Sequence, residues 1–438
     1  MLDKYPYLKE GYYVHQGSNT NFIRYSSKLV KDRDDDPLNL TVSKDIVKII
    51  KEFDGVTNLR DVVKKLVYKY DEDYDEVLKG IKGLIDSYNC FRVKDTPVDV
   101  DTLFIGGEDY QYPFAIDIEL TDFCNFDCKH CYNDSHRENR EFIDVDALIN
   151  SFNGFDKKGV SSITLTGGEP LSHPDIGKIV EFCCEKFNNV GMITNGSLLN
   201  KHIYTLKSYS NLSLQVTLNS STPKFHDWFC GVDGQFEIVK DNIKNGVENG
   251  LNITVLMIVT PYNIDEIYSV ARLAKDLGVS SFRIGKVLLN GRATDDLIYD
   301  NVSDLLERRK KIADKFEDGF VLKETEHAYE EVNRVNCGVG SSQITVSPTG
   351  NIGLCQIQVD GISFGNILNE NPDDIFNNLS GCAYHNLQEP VKELCGDCKF
   401  FNDCRFCVVI GLQHYFELGD ECRWGSNPET QKYIKTLL

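Results

Sequence analysis

The sequence predicts an α/β protein centred on a parallel sheet of six βα units, open or curled into a partial barrel. From Phe114 to about Ala293, short apolar strands alternate with segments of helical periodicity, the order that builds a parallel sheet. Before this stretch lies a small unit of short strands and amphipathic helices. After it comes a glycine-rich segment in which cysteines recur at close spacing. The expected boundaries are 1–94, a linker 95–113, the βα units 114–300, a helical bridge 301–335 and the cysteine-rich region 336–438.

The N-terminal unit opens with strand-like runs at Tyr12–Gln16, Asn21–Tyr25 and Leu38–Val42, the last following a polar loop, Lys31–Pro37. Three helices follow. Ile46, Val47, Ile49, Ile50 and Phe53 mark the first, with Ser43 as its N-cap. Thr57 is the expected cap of the second, which carries Leu59, Val62, Val63, Leu66 and Val67. Val77, Ile81, Leu84 and Ile85 mark the third, and a strand at Phe91–Val93 closes the unit. Two prolines and Gly106-Gly107 give Asp95–Pro113 the composition of a linker.

Strands are expected at Ile116–Leu120, Ser162–Thr166, Val190–Thr194, Leu212–Leu218, Ile253–Thr260 and Ser281–Val287. Parallel β/α architectures gather their chemistry at the carboxyl ends of such strands. The bridge is expected to be helical over Asn301–Lys323. The region after it, short and cysteine-rich, suits a segment held by metal more than by a hydrophobic core.

Composition narrows the function. The 438 residues are 41% hydrophobic and 26% charged, as in ordinary globular proteins, and no apolar run is long enough to span a membrane. The N-terminus lacks the apolar core of an export signal, so a cytoplasmic location is expected. A net charge of −20 argues against general nucleic-acid binding, which needs clustered Lys and Arg. Fifteen cysteines in a long chain without an export signal point to metal or catalysis, since cytosolic thiols stay reduced. Seven of them fall in two tight groups, 124–131 and 395–407, which is metal-site spacing.

The first group is Cys124-x3-Cys128-x2-Cys131, directly after the first central strand. Three thiolates this close can each bind one iron of a cubane and leave the fourth iron open. A zinc site would need a fourth ligand at zinc-finger spacing, and none stands there, although His130 and His136 are nearby. Thr166-Gly167-Gly168-Glu169-Pro170 ends the second strand. Its glycines allow close backbone approach, and its carboxylate can accept bonds from an ammonium group.

Together these motifs resemble the radical S-adenosylmethionine (SAM) superfamily, whose fold is a partial (β/α)6 barrel. There an aromatic or His side chain, here His130, precedes the third cysteine. The resemblance implies one [4Fe–4S] cluster on Cys124, Cys128 and Cys131. It also implies S-adenosyl-L-methionine chelated to the open iron and cleaved to a 5′-deoxyadenosyl radical. By the same resemblance Gly167, Gly168 and Glu169 would contact the methionine moiety. Asn195, in Thr194-Asn195-Gly196, and Thr217, in Thr217-Leu218-Asn219, would contact the nucleoside; Asn195 reads equally as a turn residue. Cys230-Gly231 stands where the family often has Arg-Gly, and Gly291-Arg292 resembles the family's usual barrel ending.

The C-terminal cysteines, Cys337-x12-Gly350-x4-Cys355, then Cys395-x2-Cys398-x5-Cys404-x2-Cys407, then Cys422, resemble the SPASM extension of peptide-modifying radical enzymes. That likeness implies two auxiliary [4Fe–4S] clusters, three in all. Cys395, Cys398, Cys404 and Cys422 would hold one, and Cys337, Cys355 and Cys407 the other. The eighth position would be an open iron or Cys382. Cys90, Cys183, Cys184 and Cys230 read as plain thiols. A four-cysteine zinc ribbon is the competing reading of the CxxC pair.

The N-terminal unit resembles the small winged-helix-like peptide-recognition domain (PqqD-like) of enzymes that tailor ribosomal peptides. Such a domain would bind a leader peptide as an added strand between Leu38–Val42 and the 74–88 helix. A winged helix also suggests DNA binding, which the acidic balance opposes. The expected function is therefore maturation of a precursor peptide by thioether formation, of the sactipeptide or ranthipeptide kind. A low-potential donor such as flavodoxin or ferredoxin would supply the electron. Carbon–carbon or carbon–oxygen crosslinking is the alternative, and a non-catalytic iron–sulfur sensor is the alternative from another class.

Overall fold

The computed structural model describes residues 1–16, 21–26, 40–107, 112–316, 319–322, 336–337, 340, 342–357, 362–381, 386–404 and 407–435. It divides into two compact units. Met1–Phe114 with Gly154–Ser161 form one, and Ala115–Asn153 with Ser162–Leu438 form the other.

In the first unit β1 (Tyr5–Leu8) pairs antiparallel with β5 (Phe91–Lys94). A second sheet has the order β4 (Leu40–Val42), β3 (Asn21–Tyr25), β2 (Tyr12–Gln16), β6 (Leu103–Gly106). Three helices, α1 (Lys44–Ile50), α2 (Leu59–Tyr70) and α3 (Tyr74–Ser87), pack onto a core of Leu8, Val14, Ile23, Ile50, Phe53, Val63, Ile81 and Phe91. Ser43 caps α1 as expected, accepting from Ile46 N at 3.3 Å. The cap of α2 is Asn58, not Thr57. Thr57 is drawn instead into the preceding turn, where Asp54 accepts from its backbone N–H (2.7 Å) and hydroxyl (2.8 Å).

Two expectations change here. Residues 95–113 are not simply a linker, because β6 adds a parallel strand to β2 through Leu103, Phe104 and Ile105. β1, which carries one apolar–polar alternation too short to read as periodic, was not foreseen. Residues 31–37 and 38–39, expected as loop and strand start, lie outside the described residues.

The second unit is built on an eight-stranded sheet, β12-β11-β10-β9-β8-β7-β13-β14. β7 (Ala115–Glu119), β8 (Ser162–Thr166), β9 (Asn189–Thr194), β10 (Leu212–Thr217), β11 (Ile253–Val259) and β12 (Ser281–Lys286) are parallel and in chain order. All six expected strands are present, with six of their twelve ends shifted by one residue. Between them run α4 (Val145–Phe152), α5 (Ile176–Lys186), α6 (Leu199–Leu206), α7 (Pro223–Cys230), α8 (Gln235–Glu248) and α9 (Ile267–Asp276). Among the described strands the sheet stays open.

The two faces of this sheet differ. Ile116, Ile118, Ile163, Leu165, Leu214, Val216, Val255 and Met257 are almost fully buried, each worth about 1.5–3 kcal/mol of burial. On the alternate face stand Asp117, Glu119, Thr164, Thr166, Gln215, Thr217, Thr254 and Arg283, with the half-buried Ile193, Leu256 and Ile258 among them, in register across neighbouring strands. Strand side chains alternate faces, so one face is the apolar core and the other is a mixed lumen wall, polar at β7 and β8.

The cysteine-rich region departs from expectation in one respect. β13 (Gln343–Val346) joins the central sheet parallel to β7, burying Ile344 and Val346, and β14 (Ile352–Gly353) returns antiparallel. The region thus extends the main core as well as carrying cysteines. In the bridge, α10 (Val302–Ala313) ends well before Lys323. α11 (Pro372–Gly381), α12 (Lys392–Cys395), α13 (Phe401–Cys404), α14 (Val408–Leu418) and α15 (Pro428–Ile434) complete the chain.

Candidate active site

The loop after β7 carries the first three cysteines. Their thiols influence one another's ionisation. Burial pushes Cys124 well up, and Glu169, Cys128 and Cys131 act the same way. A shared hydrogen bond with Cys230, followed by burial, raises Cys128. Burial raises Cys131. Cys124 Sγ nevertheless accepts from Phe126 N at 3.4 Å, a bond that favours thiolate.

The loop is clamped from three sides. Gly168 N donates to Thr121 O (2.7 Å) and Glu169 N to Phe123 O (2.8 Å). A Cβ on Gly168 would lie 2.1 Å from Phe123 O, and one on Gly167 2.4 Å from Thr121 O. The close approach that these glycines permit is therefore to the cysteine loop itself. On the second side, Asp127 N and Lys129 N donate to Cys230 O and Phe229 O at the end of α7, and His130 stacks on Phe229 with ring centroids 4.4 Å apart. On the third, Arg292 donates from Nε to Cys128 O (3.1 Å), from Nη2 to Ser135 O (2.9 Å) and from Nη1 to Asp134 Oδ1 (3.0 Å).

Glu169 is fully buried. Its Oε1 accepts from Leu171 N (2.9 Å) and Thr194 Oγ1 (2.7 Å), and its Oε2 from Asn195 N (2.8 Å). The carboxylate expected to meet an ammonium group is thus committed to joining the ends of β8 and β9. Asn195 Nδ2 reaches Asn125 Oδ1 (2.8 Å) and lies 3.9 Å from Cys124 Sγ, which brings it to the cysteine loop. Thr217 ends β10 on the lumen face.

The C-terminal cysteines separate into two neighbourhoods. Cys395, Cys398, Cys404 and Cys422 line one cavity of about 120 Å3, with Phe400, His414 and Trp424 in its wall. Burial raises Cys395, and Cys422 and Cys398 add to it. In the other neighbourhood burial pushes Cys355 up to about 12, with Cys407 and Cys337 acting the same way. Cys355, Cys407 and Cys422 each accept a backbone N–H, from Ile357 (3.3 Å), Ile410 (3.5 Å) and Gly425 (3.4 Å). Cys382 lies outside the described residues.

Among the described residues no three ligating side chains converge on one ion. A cubane binds each thiolate through a different iron, so its ligands stand apart. The donor chemistry fits that group: thiols buried or half-buried save Cys337, four of which (Cys124, Cys355, Cys407 and Cys422) already accept backbone N–H bonds, and all of which iron would hold as thiolates.

Sequence reasoning missed four residues. Cys230, read as a plain thiol, meets Cys128, and His226 Nε2 lies 3.5 Å from its sulfur. Arg292 supplies a basic contact to the loop's own carbonyls and to Asp134. Asn125 links the loop to Ser197 (2.8 Å). Glu119 is taken up below. Only the position of Arg292 after the last strand carried a signal.

Comparison with known proteins agrees with this geometry. Residues 118–274 match the Radical SAM superfamily and residues 337–399 the SPASM iron-sulfur cluster-binding domain. The antilisterial bacteriocin subtilosin biosynthesis protein AlbA of Bacillus subtilis (strain 168) is 26% identical over 450 residues, covering 99% of each chain. The sporulation killing factor maturation protein SkfB of the same organism is 26% identical over 64% of this chain and 68% of its own. Crystal structures of Streptococcus suis SuiB superpose with a TM-score of 0.63 at 14% identity, over 93% of this chain and 96% of that one. One SuiB structure holds its precursor peptide SuiA. The likeness to SuiB shows a shared fold. The chain carries a radical SAM domain followed by a SPASM domain, and it is a radical SAM enzyme.

Proposed function

We propose that this enzyme matures a ribosomally made precursor peptide by joining a Cys sulfur to carbon in thioether crosslinks. The observation that carries the reading is the partition of ten cysteines into three neighbourhoods, one at the sheet's end and two in the SPASM region. In this reading each neighbourhood holds a [4Fe–4S] cluster. When bound, the cluster on Cys124, Cys128 and Cys131 supplies an electron to S-adenosyl-L-methionine and so releases the 5′-deoxyadenosyl radical.

The chain's own residues do the rest. Gly167, Gly168 and Arg292 fix the loop's backbone, Glu169 braces it from β8, and Asn195 stands at its rim. Cys337, Cys355 and Cys407 offer three thiols, leaving a fourth position for a substrate thiolate; this favours thioether formation over carbon–carbon or carbon–oxygen crosslinking. The precursor's leader would add to β4, an edge strand among those described, beside α3, in a winged-helix-like recognition unit. The names of AlbA and SkfB, which speak of bacteriocin biosynthesis and killing-factor maturation, support a peptide substrate. A flavodoxin- or ferredoxin-type donor and a cytoplasmic setting complete the proposal.

The test is anaerobic incubation of the reconstituted enzyme with S-adenosyl-L-methionine, reductant and a Cys-containing precursor. Each bond formed removes the mass of a hydrogen pair. An unchanged precursor overturns the proposal, and a mass loss that persists in a Cys-less precursor favours the carbon-crosslinking alternative.

A further inference from the structure

The lumen face of β7 holds two carboxyl groups that none of the duties above employs. Asp117 and Glu119 are 4% and 1% exposed. Asp117 Oδ2 is satisfied, accepting from Gln343 Nε2 (2.6 Å) and from Gln356 Nε2 (3.2 Å), the residue after Cys355. Glu119 differs, because its Oε1 is buried without a hydrogen-bond partner among the described residues. Nearby on the same wall Thr345 Oγ1 is also buried and unpartnered among the described residues, and the buried Tyr132 hydroxyl stands beside Thr166. Tyr132 follows Cys131, and Thr345 pairs in register with Asp117.

Burying polar groups unmatched is costly, more so for a charge. Two on one wall, with the Tyr132 hydroxyl beside them, describe a surface completed by something else. Its position is informative. Asp117 faces the Cys355 neighbourhood through Gln356, while Glu119 lies further along β7 toward the Cys124–Cys131 loop and acts on Tyr132. A substrate residue placed between radical source and auxiliary cysteines would meet Glu119.

We propose that Glu119 is a catalytic residue, the acceptor of the proton released when the crosslink forms. The step rests on the thioether reading above. The substrate C–H bond breaks and its hydrogen atom goes to the 5′-deoxyadenosyl radical. The Cys S–H bond breaks and its proton goes to the Glu119 carboxylate. The C–S bond forms, and one electron leaves to a one-electron acceptor of the iron–sulfur class. Tyr132 and Thr345 offer hydroxyls to orient the incoming peptide. The groups facing Glu119 are Asp117 on its own strand, Tyr132 on the loop and the uncharged Thr166 in register on β8, with Thr345 one pair back beside Asp117. Burial first, then Asp117, raises the Glu119 carboxyl to about 8, which suits a group that takes and returns a proton near neutral pH.

The experiment compares wild type with Glu119→Gln and Glu119→Asp in the full reconstituted enzyme, using a Cys-containing precursor. The readout is crosslink formed per 5′-deoxyadenosine released. That ratio should fall by at least ~100-fold in Glu119→Gln and recover in part in Glu119→Asp. Infrared difference titration of the reconstituted enzyme gives a second readout: a protonated-carboxyl band that titrates above the ordinary carboxylate range and is missing from Glu119→Gln. A wild-type ratio that loses yield as pH is lowered, in a manner the Gln variant does not share, supports the role even where that variant loads iron poorly. An unchanged ratio in Glu119→Gln, or a wild-type ratio flat with pH, overturns it. Failure of wild type to crosslink at all would instead overturn the thioether reading.

Discussion

The two cysteine regions of this chain are held in opposite ways. The Cys124–Cys131 loop sits on a finished scaffold: Gly168, Glu169, Cys230 and Arg292 fix its backbone, and the sheet below buries Ile116, Ile118 and Leu120 completely. The segment from Cys395 to Cys422 rests on one longer helix, α14, which buries Val408, Val409 and Leu412, and is otherwise less supported. Its helices α12 and α13 have four residues each, and four of its cysteines line a cavity. Isolated helices that short have no stability of their own. On the proposed reading, the fold would hold the metal site in the first region, and in the second a metal site would help to hold the fold.

The largest effect should come from Cys395→Ala with Cys398→Ala. Iron is expected to fall from about twelve to about eight per chain, and residues 386–435 should become open to limited proteolysis. The Cys124/Cys128/Cys131→Ala variant should lose the same about four irons with the proteolytic pattern unchanged. Equal damage in both would break the comparison.

Next is Gly168→Ala, whose Cβ must displace the Phe123 carbonyl oxygen from 2.1 Å. It should cost about 3 kcal/mol in thermal unfolding and release barrel iron on gel filtration, leaving the SPASM iron in place. Arg292→Ala removes charged hydrogen bonds worth about 2 kcal/mol. Its loss should appear as faster hydrogen exchange across 124–135, with Arg292→Lys intermediate.

The smallest effect sharpens the contrast with the N-terminal unit, whose described core needs no metal. Burial raises the Glu52 carboxyl, but the Lys65 and Lys69 ammonium groups together outweigh it and hold it below its ordinary value. Stability from a depressed carboxyl is present above the unfolded value of 4.5 and lost as pH falls through the folded one. Glu52→Gln should therefore speed exchange in α1 and α2 by about 1 kcal/mol at neutral pH, and the difference should shrink on acidification.

Much of this was legible in the chain. The six strands follow from apolar runs bounded by helical periodicity, and the Ser43 cap from a hydroxyl placed before Ile46. The cysteine groups announce themselves because ligand spacing is a local property. β6 and β13 were not legible as sheet members, since Leu103–Gly106 and Gln343–Val346 are four-residue runs whose partners, β2 and β7, are distant in sequence. The commitment of Glu169 to Thr194 and Asn195 was hidden for the same reason.

Local chemistry, then, was written in the order of residues: which thiols gather, where helices cap, which strands alternate. Pairing across long separations settled the remainder. It made Gly168 a contact of the cysteine loop, turned Cys230 toward Cys128, and left Glu119 Oε1 without a partner among the described residues of the lumen wall. Such facts depend on which backbone surfaces meet, and burial sets their energies only once the whole sheet has assembled.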